Sequence, residues 1–149
     1  MAYIAVDFDG TVVTHDFPKV GRDIGAVPVL KDLIKAGHKI ILFTMRSHGN
    51  PAEQKGYGYG RSLMGCFLDT DVLDDAINWF KANEIELFGI NVNPTQKSWT
   101  KSPKVFAHVI IDDTACGAPV IEDESISDKP FIDWTRVRQW LIAKGYLKE

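Results

Sequence analysis

Four short apolar runs alternate along the chain with segments of helical spacing. They cover residues 2–8, 40–43, 87–90 and 109–111. Each run is too short for an ordinary helix and is apolar at successive positions, which is typical of strands buried on both faces of a sheet. The pattern therefore predicts four buried strands.

Amphipathic helices are predicted between these strands and after the last one. Their apolar residues recur at the spacing of one helix face and are Leu30, Leu33 and Ile34; Leu73, Ala76, Ile77 and Phe80; and Val137, Trp140 and Leu141. Pro28 and Gly37 bound the first helix, and Asp71 is the predicted cap of the second. The third is expected to begin near Asp133 and to end at Gly145.

This alternation predicts an α/β fold with a central parallel sheet flanked by helices, because each helix supplies the crossover that parallel strands require. With 149 residues and 45% hydrophobic composition, the chain has material for one core. We therefore expect a single doubly wound, Rossmann-like domain over residues 1–149. In such sheets ligands bind beyond the carboxyl ends of the strands.

Charge and hydropathy give no sign of a dedicated nucleic-acid binder or a membrane protein. The 17 basic and 20 acidic residues give a net charge of -3, without a basic run typical of nucleic-acid binders. No apolar run approaches the roughly 20 residues that span a bilayer, and no secretory signal opens the sequence. We expect a cytoplasmic protein with no membrane partner.

Polar side chains follow every predicted strand. They are Asp7 and Asp9, then Thr44, then Asn91 and Asn93, and finally Asp112 and Asp113. Because the carboxyl ends of parallel strands share one edge of the sheet, these groups are predicted to converge there. Carboxylate oxygens in that number favour Mg²⁺, which commonly takes one or two carboxylates together with substrate phosphate.

The first of these groups belongs to a specific motif, Asp-Phe-Asp-Gly-Thr at residues 7–11. Chance would produce an Asp-x-Asp-Gly-Thr pattern on the order of once in a thousand chains of this length. In extended geometry the two carboxylates point the same way, and Gly10 lets the chain turn at once.

With these motifs the chain resembles the haloacid dehalogenase superfamily. Motif one is residues 7–12, motif two ends at Thr44, motif three supplies a lysine, and motif four is Asp112-Asp113. The resemblance covers residues 2–113 and implies a Mg²⁺-dependent phosphatase of the small branch without a full cap domain.

The resemblance also implies a role for each matching residue. Asp7 forms an aspartyl phosphate, and Asp9 is the general acid and then the base. The metal is held by the Asp7 side chain, the Asp9 carbonyl and Asp113, while Asp112 contacts it through water. The phosphate is bound by Gly10, Thr44, Met45 and a lysine. Thr44 and the lysine are also catalytic residues.

Two lysines compete for motif three. Lys104 precedes Asp112 by the spacing found in small capless relatives, which read Lys-x-x-Ala-x-x-x-Ile-Asp-Asp, and this chain has Ala107 and Ile111 in register. Lys101 stays open because other branches place the lysine just ahead of a proline. We predict Lys104.

Residues 46–69 occupy a position where relatives carry a cap, but the segment is short and predicts only a lid or an oligomer contact.

An open site admits a phosphorylated small molecule as the favoured substrate and a macromolecular phosphate as another. The alternatives are a nucleic-acid end phosphatase and a metal- and phosphate-binding module without turnover. Arg46 and His48 follow Thr44, where they could touch the leaving group, but an exposed loop arginine is at least as common there, and both are left out of the predicted site. A substrate contact by His15 in the hairpin-like stretch 12–25 also stays open.

Overall fold

The structure is a computed structural model that describes residues 1–48 and 71–149. Four parallel strands form its central sheet: β1 (Tyr3–Val6), β2 (Lys39–Leu42), β3 (Leu87–Ile90) and β4 (Val109–Ile111). They lie in the order β3-β2-β1-β4, and Ala5 on β1 is flanked by Ile41 on β2 and Ile110 on β4. The α/β fold and the parallel sheet predicted from the sequence are confirmed, and they are consistent with a Rossmann-like fold.

Three described helices connect or follow these strands: α1 (Ala26–Lys35), α2 (Val72–Ala82) and α3 (Trp134–Ala143). Asp71 caps α2 and Asp133 caps α3, each carboxylate accepting hydrogen bonds from two backbone N–H groups of the first turn. The Asp71 cap lies where the sequence predicts it, and α3 begins directly after Asp133, near which its start was predicted. Within the described residues no helix is long and apolar enough to cross a membrane.

All three helices pack against one face of the sheet. Their buried residues share a core with Ile4, Val6, Ile40 and Leu42, which point to that face. The other face, which carries Ala5 and Ile41, is covered by Val105. No α-helix of residues 1–48 and 71–149 lies there, so the described residues do not show a doubly wound arrangement.

Two small additions flank the carboxyl edge of the sheet. Residues 12–25 form the predicted hairpin-like stretch, with Val13 bridged to Asp23 and the Thr14 N–H donating to the Arg22 carbonyl. The short strands β5 (Val120–Ile121) and β6 (Phe131–Ile132) pair in antiparallel fashion. They bring the chain back beside the end of β1.

Candidate active site

A tight turn directly follows β1. The Phe8 carbonyl accepts hydrogen bonds from Thr11 N–H at 3.1 Å and Val12 N–H at 2.9 Å, and Gly10 has a φ of 75°. A Cβ on Gly10 would lie 2.1 Å from His15 Nε2 and 2.7 Å from Asp113 Oδ2, so the position has no room for a side chain. The turn thereby allows His15 and Asp113 to approach the backbone of motif one.

Three carboxylates converge beside this turn. One oxygen from each of Asp7, Asp112 and Asp113 lies within 4.8 Å of the others, and all three residues are partly buried. Asp7 stands at the end of β1, and the other two follow the adjacent β4. The predicted convergence of these three side chains is therefore present in the structure.

Burial and like charge make this cluster electrostatically unfavourable without a cation. Burial, as the largest cause, and the carboxylates of Asp112, Asp113 and Asp9 together raise the pKa of Asp7 to about 7. Burial and Asp112 also raise the pKa of Asp113, against the opposing effects of His15 and Thr11. Three hard oxygen donors at this separation fit Mg²⁺.

Asp112 and Asp113 are held by different partners. Asp112 Oδ1 accepts hydrogen bonds from the N–H and the hydroxyl of Thr114, at 2.8 and 2.7 Å. Asp113 Oδ1 accepts one from the buried Thr11 hydroxyl at 3.2 Å, and Thr11 Oγ1 accepts the Asp113 N–H at 3.1 Å. Motif one and motif four are thus joined through Thr11.

His15 contacts the second oxygen of Asp113. Its Nε2 lies 3.1 Å from Asp113 Oδ2 and 3.1 Å from the Pro130 carbonyl. Because a backbone carbonyl only accepts hydrogen bonds, Nε2 carries the hydrogen that it shares with these oxygens. The residue therefore orients a predicted metal ligand, whereas the substrate contact that the sequence left open for it stays untested.

Asp9 lies outside the three-carboxylate cluster and pairs with Arg46. Arg46 Nε donates to Asp9 Oδ2 at 2.8 Å and Nη2 donates to Oδ1 at 2.7 Å, which makes the pair bidentate. The Asp9 backbone carbonyl accepts no hydrogen bond from residues 1–48 or 71–149. It is thus available for its predicted role as a metal ligand.

The prediction that Arg46 lies outside the site was wrong. It is 3% exposed and directly contacts the second aspartate of motif one. Its position two residues after Thr44, at the end of the strand next to β1, is the signal that pointed to the site.

Thr44 and Met45 follow β2. Asn91 Oδ1 accepts the Thr44 N–H at 2.8 Å, so this amide is not free to bind phosphate. Thr44 Oγ1 accepts the Arg46 N–H at 3.1 Å, which leaves the hydroxyl hydrogen able to donate elsewhere. The Met45 side chain is 95% exposed, and its N–H bonds to no described residue.

Neither candidate lysine reaches the carboxylate cluster in this structure. Lys104 and Lys101 are both exposed, and within the described ranges neither forms an ion pair. The segment after Lys104 is anchored to the sheet: Val105 belongs to a buried cluster with Ala5 and Ile41, and the His108 N–H donates to the Tyr3 carbonyl at 2.8 Å.

The remaining predicted segment, residues 46–69, lies outside the described residues apart from 46–48. Its interpretation as a lid or an oligomer contact stays a prediction.

Comparison with known proteins gives one structural relative. No family model matches the chain, and no curated protein matches it. A solved structure of the conserved protein coded by a locus from Bacteroides thetaiotaomicron is similar, with a TM-score of 0.67 and 28% sequence identity. The likeness covers 96% of this chain and 91% of that one. It supports the fold over nearly the whole length and names no activity.

Proposed function

We propose that this protein is a Mg²⁺-dependent phosphomonoesterase of the haloacid dehalogenase type, acting through an aspartyl phosphate on Asp7. The observation that carries the proposal is the convergence of Asp7, Asp112 and Asp113 within 4.8 Å at the carboxyl ends of β1 and β4. A cluster of partly buried carboxylates is costly unless a cation offsets it. That cost supports a metal-binding function over a purely structural one.

The ligand set follows from the same geometry. Asp7, Asp113 and the Asp9 carbonyl would hold the metal directly, and Asp112 would contact it through water. Thr11 and His15 fix Asp113, as second partners of metal-ligating side chains generally do. Bound Mg²⁺ supplies positive charge to the phosphoryl oxygens and to the three carboxylates.

The reaction is proposed in two displacements. An Asp7 carboxylate oxygen attacks phosphorus, and the bond to the leaving oxygen breaks as Asp9 gives that oxygen a proton. A water molecule then attacks phosphorus, its proton passes to Asp9, and the bond to Asp7 breaks. Covalent transfer splits one difficult displacement into two easier ones.

The rest of the site would bind the phosphate. The Thr44 hydroxyl and the Met45 N–H can donate to phosphoryl oxygens. The Gly10 N–H already donates to the Val13 carbonyl at 2.8 Å, so this predicted phosphate contact would require the turn to open. Lys104 is the proposed cation for the transferring group, because it has the spacing to Asp112 found in small capless relatives and its side chain is long and exposed. The substrate we favour is a phosphorylated small molecule.

The test is hydrolysis of nitrophenyl phosphate with and without Mg²⁺. We expect activity that a chelator removes, and that Asp7→Asn loses while it stays folded by circular dichroism. Turnover that survives chelation, or that Asp7→Asn retains, would reject the assignment. Tight Mg²⁺ binding without turnover of any phosphate ester would favour the binding module.

A further inference from the structure

Arg46 is bound more completely than any exposed loop arginine would be. Its five N–H groups all donate: to Asp9 Oδ2, Asp9 Oδ1 and the carbonyls of Lys19, Pro18 and Val72. It is 3% exposed. A buried guanidinium with every donor satisfied has one orientation, and it transmits that orientation to the carboxylate it holds.

Aromatic rings also confine the guanidinium. Its central carbon lies 4.8 Å from the centre of the Phe8 ring and 5.2 Å from that of Phe17. Phe8 belongs to motif one, whereas Phe17 belongs to the stretch 12–25. Cation–π contacts with two rings suit the delocalised guanidinium of arginine better than the ammonium of lysine, which is a compact, strongly hydrated charge.

The three carbonyls come from two further segments of the fold. Pro18 and Lys19 lie in the stretch 12–25, at 3.3 and 2.6 Å from Arg46 nitrogens, and Val72 is the first residue of α2, at 3.1 Å. Arg46 therefore joins the end of β1, the hairpin-like stretch and the start of α2. The position of Asp9 depends on all of them.

We propose that Arg46 is the positioning residue for Asp9 in the phosphatase reaction. The inference rests on the proposed function, since it gives Asp9 its proton-transfer role. The two guanidinium hydrogen bonds occupy one acceptor site on each Asp9 oxygen, and an ionised carboxylate keeps further sites for a proton or a water molecule. A general base must stand within about 2.6–3.2 Å of the atom it serves, and Arg46 holds Asp9 at a fixed place for that purpose.

A different role would be direct contact between Arg46 and the substrate phosphate. The hydrogen-bond geometry opposes it, because no N–H of Arg46 is left to donate to a ligand. The two roles also make opposite predictions for an enzyme that lacks the Asp9 carboxylate. A residue acting through Asp9 has no effect there, whereas a phosphate ligand keeps its effect.

The experiment is a double-mutant cycle with Asp9→Asn, Arg46→Met and the double variant. Phenyl phosphate needs a proton on its leaving oxygen, whereas the first displacement with dinitrophenyl phosphate does not.

With phenyl phosphate, we expect Arg46→Met to lower kcat by about 100-fold, with little change in KM. A loss of this size is within the range typical of a general acid–base group. Release of the first equivalent of dinitrophenolate should slow by less than about 10-fold, and phosphoenzyme should accumulate. In the Asp9→Asn background Arg46→Met should change both rates by less than about twofold.

Arg22→Met is the matched control, because Arg22 lies in the same stretch 12–25, is exposed and donates to the Ile126 carbonyl. It should keep wild-type kcat with both esters. Arg46→Lys covers the case in which Arg46→Met does not fold, and it should show the same leaving-group dependence.

Two results would overturn the positioning role. One is a loss of kcat in the double variant equal to the product of the two single losses, and the other is a raised KM with unchanged kcat in Arg46→Met. If the unmodified protein shows no Mg²⁺-dependent turnover, the proposed function itself is wrong, and the role inferred for Arg46 is wrong with it.

Discussion

At the residue scale, the charge state of Asp7 links the site to stability. In the metal-free protein its pKa is raised from 3.8 to about 7. Between those values the folded state holds a proton that the unfolded state releases, so the contribution of Asp7 to stability is present below about pH 4 and is lost as the pH rises to about 7. Replacing Asp7 with a neutral amide removes this loss.

We therefore predict that metal-free Asp7→Asn unfolds at a higher temperature than the unmodified protein, by a margin that grows from pH 5 to pH 8. Mg²⁺ should reverse the order at pH 8, because the amide is a weaker ligand. Thermal unfolding followed by circular dichroism at several pH values measures both effects. A margin that shrinks as the pH rises would show that Asp7 does not hold this proton.

The two candidate lysines give a second prediction at this scale. Lys104→Ala should lower turnover by about 100-fold or more, as loss of a fixed charge at the transferring phosphoryl group normally does. Lys101→Ala, a matched change of an exposed lysine in the same segment, should be mild. Steady-state kinetics with nitrophenyl phosphate measures both, and the reverse result would assign motif three to Lys101.

The sequence predicts which carboxylates meet but not what holds them. Asp7, Asp112 and Asp113 follow adjacent strands, so the topology alone brings them together. Arg46 differs: its position two residues after Thr44 places it near the edge of the sheet, but its burial depends on carbonyls contributed by residues 18, 19 and 72, which no local pattern shows.

At the element scale, the turn after β1 gives a prediction that separates crowding from backbone strain. Gly10 and Gly37 both have positive φ, at 75° and 86°, but a Cβ on Gly10 would collide with His15 and Asp113, whereas one on Gly37 would meet nothing within 4 Å. Alanine at either position should cost about 1 kcal/mol through backbone strain.

Gly10→Ala should cost more than Gly37→Ala and should also weaken Mg²⁺ binding, because His15 and Asp113 must move. Gly37→Ala should leave Mg²⁺ affinity unchanged. Denaturant unfolding together with Mg²⁺ titration calorimetry tests the pair. Equal Mg²⁺ affinities in the two variants would show that the His15–Asp113 contact does not shape the metal site.

Element boundaries follow from local signals where such signals exist. β3 and β4 coincide with the predicted runs, whereas the predicted strand at 2–8 shortens to Tyr3–Val6 because Phe8 already turns. The pair β5 and β6 was not predicted, since each has only two residues. Two residues are too few to show the alternation that marks a strand.

At the scale of the whole molecule, apolar strands show that both sheet faces are buried but not what covers them. Ala5 and Ile41 are fully buried, yet Val105 in a segment without regular structure covers them. The sequence was interpreted as helix cover on both faces because α/β sheets usually have it. In the described residues the helices share one face.

The intact site should also discriminate between divalent metals. Ca²⁺ should support much less turnover than Mg²⁺ at equal occupancy, because its larger and looser coordination shell misplaces Asp7 relative to phosphorus. Metal titration of the metal-free protein with an activity readout measures this. Equal turnover with both ions would show that the metal does not position the nucleophile.

The most direct test of the central claim is mass spectrometry of Asp9→Asn after brief exposure to dinitrophenyl phosphate and Mg²⁺. The activated ester needs no proton from residue 9 to phosphorylate Asp7, while the water step slows for lack of a base. The account predicts a phosphate-sized mass increase on the peptide that contains Asp7, absent from Asp7→Asn. Phosphate on another residue, or full turnover by Asp9→Asn without a trapped phosphoenzyme, would contradict it.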